Sequence, residues 1–254
     1  MNIELGTIYE QLLQIIFPLL RIGAFMLASP LFTVDALNLR FRIAIALVLA
    51  VFIMNAGSLP EVDILSVSGI SIAFTEVFIG FVLGFILQIV IAAFTVAGAF
   101  VSNSIGLSFA NIIDPAMGNV PVISQLLLIL GTLVFLALDG HIVLVRNLVE
   151  SFALIPIGNY PDFSGWFNFV VDWSAMTFIG GLILALPAVV SLLIVNFGLA
   201  IVTRAAPAMN IFSIGFSALM ICGFIFVYIY MPGVIYFMRD FWASGVTTFS
   251  SLLL

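Results

Sequence analysis

Apolar residues run along this chain in six long stretches, near 12–32, 43–56, 70–101, 122–138, 175–203 and 211–238. A bilayer core about 30 Å thick takes about 20 helical residues. The second and fourth stretches fall short of that length, whereas the third, fifth and sixth exceed it. Thirty helical residues at about 1.5 Å each reach about 45 Å. Helices of that length tilt steeply, kink, fold back as hairpins or leave the bilayer. Gly80, Gly84, Pro187 and the Pro232-Gly233 pair are where such helices can bend. Gly80 and Gly84 also form a GxxxG pattern, which lets two helices approach closely. The pattern predicts an all-α integral membrane protein of long kinked helices and helical hairpins.

Composition sharpens that picture. Of 254 residues, 64% are apolar and 7% charged, against about 25% charged in soluble domains. Too few polar residues exist to cover a soluble fold of this size, so a soluble enzyme is excluded. All basic residues are arginine, six in number, and the net charge is −6; no basic patch for nucleic acid can be assembled. The single cysteine, Cys222, lies in an apolar run and reads as a core residue. The N-terminus carries Glu4 and Glu10 where a cleavable signal would be basic, so the first apolar stretch is expected to be retained. Arg40, Arg42 and Arg204 place their loops in the cytoplasm and both termini outside by the positive-inside rule.

One segment breaks the pattern. Residues 102–121 carry a single charge, Asp114, together with Pro115, Gly118 and Pro121. Pro115 biases Asp114 away from helix, and Gly118-Asn119 is a turn signal. Yet Leu107, Phe109, Ile112, Ile113, Met117 and Val120 are apolar, so the segment is poorly suited to water. Irregular backbone at membrane depth is tolerated only inside protein or along an aqueous cavity. The segment therefore reads as a re-entrant or pore-blocking element, with a surface loop packed on its own helices as the alternative.

Charge is scarce elsewhere and correspondingly informative. Asp139, His141, Arg146 and Glu150 fall within twelve residues, and positions 142, 145, 149 and 152 are apolar. That spacing predicts an amphipathic helix with Arg146 and Glu150 paired at i,i+4. Glu76 lies in the third apolar stretch, where an acidic residue calls for a partner from elsewhere. With Arg204, these residues make a candidate polar network. A proton relay through His141 and a structural pairing are its two readings. No HExxH or GxSxG motif and no metal-ligand spacing is present, so no enzyme, cofactor or metal is expected.

The order and spacing of many short pieces resemble the FliR family of flagellar export-gate subunits. These pieces are Pro18-Leu19-Leu20-Arg21 with Ser29-Pro30 and Arg40, then Gly80 to Gly84, then Gly106-Leu107-Ser108-Phe109-Ala110 with Asp114-Pro115 and Pro121-Val122. They continue through Gly140-His141, Ser151-Phe152, Pro156-Ile157-Gly158 and Leu184 to Pro187, and end with Arg204 to Pro207 and Asn210 to Phe216. The resemblance implies a non-enzymatic subunit of a type III protein export gate at the flagellar basal body in the bacterial inner membrane. It implies FliP-like and FliQ-like partners in a pseudo-helical, hetero-oligomeric ring, with an FlhB-like subunit beside it and unfolded flagellar proteins as substrates. Residues 1–160 would then be a FliP-like half and 161–254 a FliQ-like hairpin half. The loop at 106–122, with Gly106, Leu107, Phe109, Ile112, Ile113, Asp114, Pro115, Met117 and Gly118, would plug the closed pore. The competing reading is a stand-alone secondary transporter for a small solute, with Glu76 and His141 in its polar site.

Overall fold

A computed structural model describes residues 15–30, 38–56, 66–107, 121–205 and 211–253, without the side chains at 55–56 and 211–214. Among these residues there are eight helices and no strand: α1 Ile16–Ala28, α2 Leu39–Ala56, α3 Val67–Ile105, α4 Val122–Ala137, α5 Gly140–Leu154, α6 Phe163–Ser174, α7 Met176–Ala205 and α8 Ile211–Leu253. The chain is an all-α integral membrane protein. Val67–Ile105, Phe163–Ala205 and Gly215–Leu253 are each long and apolar enough to cross a bilayer, and α4 and α5, separated by a short break, together make a fourth candidate. At 39 residues α3 is about 58 Å long, nearly twice the hydrocarbon thickness.

Helix ends follow local chemistry. The Ser66 hydroxyl accepts the Gly69 N–H (3.0 Å) and so caps the start of α3. Asp162 does the same for α6, its carboxylate accepting the Ser164 N–H at 3.2 Å. Pro121, extended at ψ 141°, starts α4 at Val122. Pro187 and Pro232 lie inside α7 and α8, and neither ends its helix.

The chain divides into two compact units that interleave along the sequence. The first comprises Met1–Ile89, Asp139–Ser174 and Ser244–Leu254, and the second Val90–Leu138 and Ala175–Ala243.

In the first unit α1 and α3 run parallel. A Cβ on Gly80 would overlap the Arg21 carbonyl, and one on Gly84 would lie 2.7 Å from the Phe25 carbonyl oxygen and 2.8 Å from the Ala28 Cβ. Backbone therefore meets backbone along this seam, which is what GxxxG spacing permits. Helix α6 follows α3 in the same direction. Its Phe163 and Trp166 rings sit 5.1 and 6.2 Å from that of Phe78, and the Trp173 indole N–H donates to the Ile86 carbonyl at 3.2 Å. The end of α8 closes the unit: Phe249 stands edge-on to Phe25, and Asn147 donates to the Ser250 hydroxyl at 3.2 Å.

In the second unit the last part of α3 and α4 form an antiparallel hairpin. Gly98 meets Ser124, whose hydroxyl donates to the Thr95 carbonyl (2.8 Å), and Gly131 meets the Phe94 ring. Helices α7 and α8 make a second antiparallel hairpin, with Gly180 under Phe241 and the Ser191 hydroxyl 2.9 Å from that of Tyr230. Phe94, Phe135, Phe241 and Trp242 cluster at its centre, and the Trp242 indole N–H donates to the Gly131 carbonyl at 2.8 Å. Much of the outward surface stays apolar, with Phe178, Ile194, Phe197 and Ile201 on α7 and Ile221 and Tyr228 on α8 exposed.

Candidate functional site

Two features of the chain carry more chemistry than packing alone explains. The first is built around Arg21, halfway along α1, a cation with no opposite charge within its own apolar stretch. Burying a lone guanidinium is prohibitively costly, so it must be paired and hydrogen-bonded. Its partner is Glu76 of α3, itself fully buried. Nε donates to Oε2 at 2.6 Å and Nη2 to Oε1 at 3.0 Å, a two-pronged match between planar groups. The remaining donors turn to the end of α5. Nη1 reaches the Ser151 carbonyl and Nη2 the Ile155 carbonyl, both at 3.0 Å. The Ser151 carbonyl also accepts the Ile155 N–H at 2.9 Å, and carbonyls at a helix C-terminus carry the negative end of its dipole, which favours a cation there. The Phe152 ring covers the guanidinium, with 4.2 Å from Cζ to its centroid.

This constellation corrects the network expected from sequence. Glu76 is bound to Arg21, not to members of the 139–150 cluster. Arg146 and Glu150 pair with each other at 2.8 Å, as their i,i+4 spacing predicts, on an exposed face. Asp139 is exposed in the turn between α4 and α5, where its backbone is left-handed (φ 53°) and its side chain makes no capping bond. His141 is exposed at the start of α5, and Arg204, in the second unit, is exposed at the end of α7. A transporter site built on Glu76 and His141 is thus not assembled. Sequence reasoning left Glu76 without a named partner because fifty-five residues separate it from Arg21. The available signal was that each stands as a single charge in an otherwise apolar stretch, and the two are opposite in sign.

The face of α5 is also corrected. Its buried residues are Gly140, Leu144, Asn147, Leu148 and Ser151, whereas Ile142 is exposed. Leu144 and Leu148 pack inward beside the small and polar Gly140, Asn147 and Ser151, while His141, Arg146 and Glu150 face outward with Ile142.

The second feature is the tip of the α3–α4 hairpin. Helix α3 continues to Ile105, past the boundary at 102 expected from the composition change. It then stops in a Schellman motif: Gly106, at φ 90°, donates its N–H to the Asn103 carbonyl (3.1 Å), and Leu107 donates to that of Ser102 (3.0 Å). Glycine adopts that left-handed conformation without penalty. On the return side, α4 begins directly after Pro121. The hairpin thus holds both ends of the expected plug segment. Of its residues, Gly106 and Leu107 are placed here, while Phe109, Ile112, Ile113, Asp114, Pro115, Met117 and Gly118 lie outside the described residues.

Comparison with known proteins agrees with this architecture. Residues 12–245 match the family described as bacterial export proteins, family 1. The flagellar biosynthetic protein FliR of Escherichia coli (strain K12) is 34% identical over 219 residues, covering 85% of this chain and 83% of that protein. FliR of Pectobacterium carotovorum subsp. carotovorum is 32% identical over 220 residues (86% and 84%), and FliR of Bacillus subtilis (strain 168) is 29% identical over 238 residues (92% of each). With the matched residues running through both units and nearly the whole length, the chain belongs to the FliR family of flagellar biosynthetic proteins, membrane components of the bacterial export apparatus.

Proposed function

We propose that this chain is a non-enzymatic core subunit of the flagellar protein export gate in the bacterial inner membrane at the basal body. It assembles with FliP-like and FliQ-like subunits into a pseudo-helical ring, with an FlhB-like subunit alongside, and the ring passes unfolded flagellar proteins. The segment at 106–122 plugs the closed pore. The observation that carries this reading is the α3–α4 hairpin: in a member of the export-protein family, two packed helices end and resume at the borders of a sequence that is apolar and interrupted by proline and glycine. Helix length gives further support. Helices of about 58 Å that keep apolar side chains outward are better matched to sister subunits than to a bilayer alone.

Native mass spectrometry tests the assembly. The chain is tagged and extracted in mild detergent from membranes that also express the neighbouring flagellar membrane proteins. A large complex holding one copy of this chain with several copies of two other small hydrophobic proteins is expected. A monodisperse monomer or homodimer with no partner bound, although the partners are expressed, would overturn the reading. The plug is tested by deleting residues 112–118, which should leave a pore that conducts small ions and slows growth; an unaltered membrane barrier would remove it.

A further inference from the structure

We propose that the Arg21 constellation is the register lock of the first unit. It, and not apolar burial, selects the axial position of α3 against α1 and the end of α5. Three observations lead there. Helix α3 is apolar on all sides over 39 residues, so sliding it along an apolar neighbour changes little of what it buries. The glycine seam opposes a slip at only one of its two places: Gly80 and Gly84 are one turn apart, so a one-turn slip carries one glycine into the place of the other and brings Glu76 or Gln88 against the α1 backbone at the second. The guanidinium, by contrast, is directional. A one-turn slip moves Glu76 by about 5.4 Å, which breaks both of its bonds to Arg21 and strands two charges away from water. The bonds to Ser151 and Ile155 extend the same constraint to α5. A buried polar group that fixes register at some cost in stability is a known device in helical assemblies.

The test separates register from stability by replacing both charges with apolar side chains of similar length. In the full chain, expressed with the other export-apparatus proteins, Arg21→Met and Glu76→Met singly each leave one buried charge without its partner. Each should reduce the amount in the membrane several-fold, and the Arg21→Met/Glu76→Met double variant should recover at least threefold over either single variant. No recovery in the double variant would overturn the claim that the two act as a pair.

Register is then read by cross-linking in a Cys222→Ser background with a short bifunctional maleimide. The Ser71 and Tyr160 hydroxyls are 2.7 Å apart, and Val67 lies one turn before Ser71. With Arg21 and Glu76 intact, Ser71→Cys/Tyr160→Cys should cross-link well and Val67→Cys/Tyr160→Cys poorly. In the double methionine background the yield should spread over both pairs, and swarming should be lost despite the recovered protein. A double methionine chain that keeps the native cross-link preference and swarms normally would overturn the lock.

Discussion

Alanine at Gly84 is the smallest change that asks whether the α1–α3 seam is as tight as its geometry indicates. The added methyl would sit 2.7 Å from the Phe25 carbonyl oxygen, 2.8 Å from the Ala28 Cβ and 3.0 Å from the Ser29 nitrogen. Non-bonded carbon contacts are comfortable at about 3.5 to 4.0 Å. Two of the three obstacles are backbone atoms, which cannot rotate aside, so α1 must retreat by about 0.7 Å or more. Overpacking of this kind costs about 1–3 kcal/mol, offset by about 1 kcal/mol because alanine favours helix over glycine. Gly198, inside α7, has nothing within 4 Å of its ideal Cβ. Alanine there should give the propensity gain alone. The difference between the two variants isolates the steric cost at about 1–3 kcal/mol, roughly 5- to 150-fold in the folding equilibrium. The assay is SDS titration of the purified chain in dodecyl maltoside, followed by tryptophan emission. Trp166, Trp173 and Trp242 all lie on packed helices and report the transition. A Gly84→Ala midpoint at or above that of Gly198→Ala would show that the seam is looser than described and refute the reasoning.

Two further outcomes follow from the packing. Phe249→Ala empties a fully buried site against Phe25 and should cost about 3–5 kcal/mol, lowering the amount of chain in membranes. The control is Tyr228→Ala, at a side chain 81% exposed, which should leave the amount of isolated chain unchanged. Trp242→Phe keeps an aromatic ring but removes one ring of the indole, and with it the N–H that the Gly131 carbonyl accepts, and it leaves space at a fully buried site. It should lower the SDS midpoint by an amount equivalent to at least the lost bond, about 0.5–1.5 kcal/mol, with the cavity adding to it; an unchanged midpoint would mean that neither contributes.

Much of the helical framework was legible as apolar stretches, since each of the six coincides with a helix. What failed were the ends and the short helix α6. The sixth stretch was read as closing at 238, yet α8 runs to Leu253. Arg239, Asp240 and the hydroxyl-rich residues from Ser244 to Ser251 lower the local hydropathy without breaking helix, while Trp242, Phe249 and Leu253 keep one side buried. Helix α6 was hidden in a gap marked by Asp162 and Asp172, and it is held by Trp166 and Trp173. The 102–121 segment was recognised by its proline and glycine content, but its helical first turn was not, because Gly106 alone supplies the stop. The Arg21–Glu76 pair joins distant parts of the chain. No local pattern specifies which distant charge a buried carboxylate will meet.

The Arg21–Glu76 pair also gives the first unit a distinctive response to heat. Hydration of charged groups becomes less favourable as temperature rises, so the penalty for holding this guanidinium and carboxylate away from water shrinks. Close contacts such as those at Gly80 and Gly84 gain no comparable compensation on warming. Heat therefore shifts the balance within one unit from contact toward charge: as the seam between α1 and α3 loosens, the arginine that spans α1, α3 and α5 becomes a larger share of what keeps them aligned.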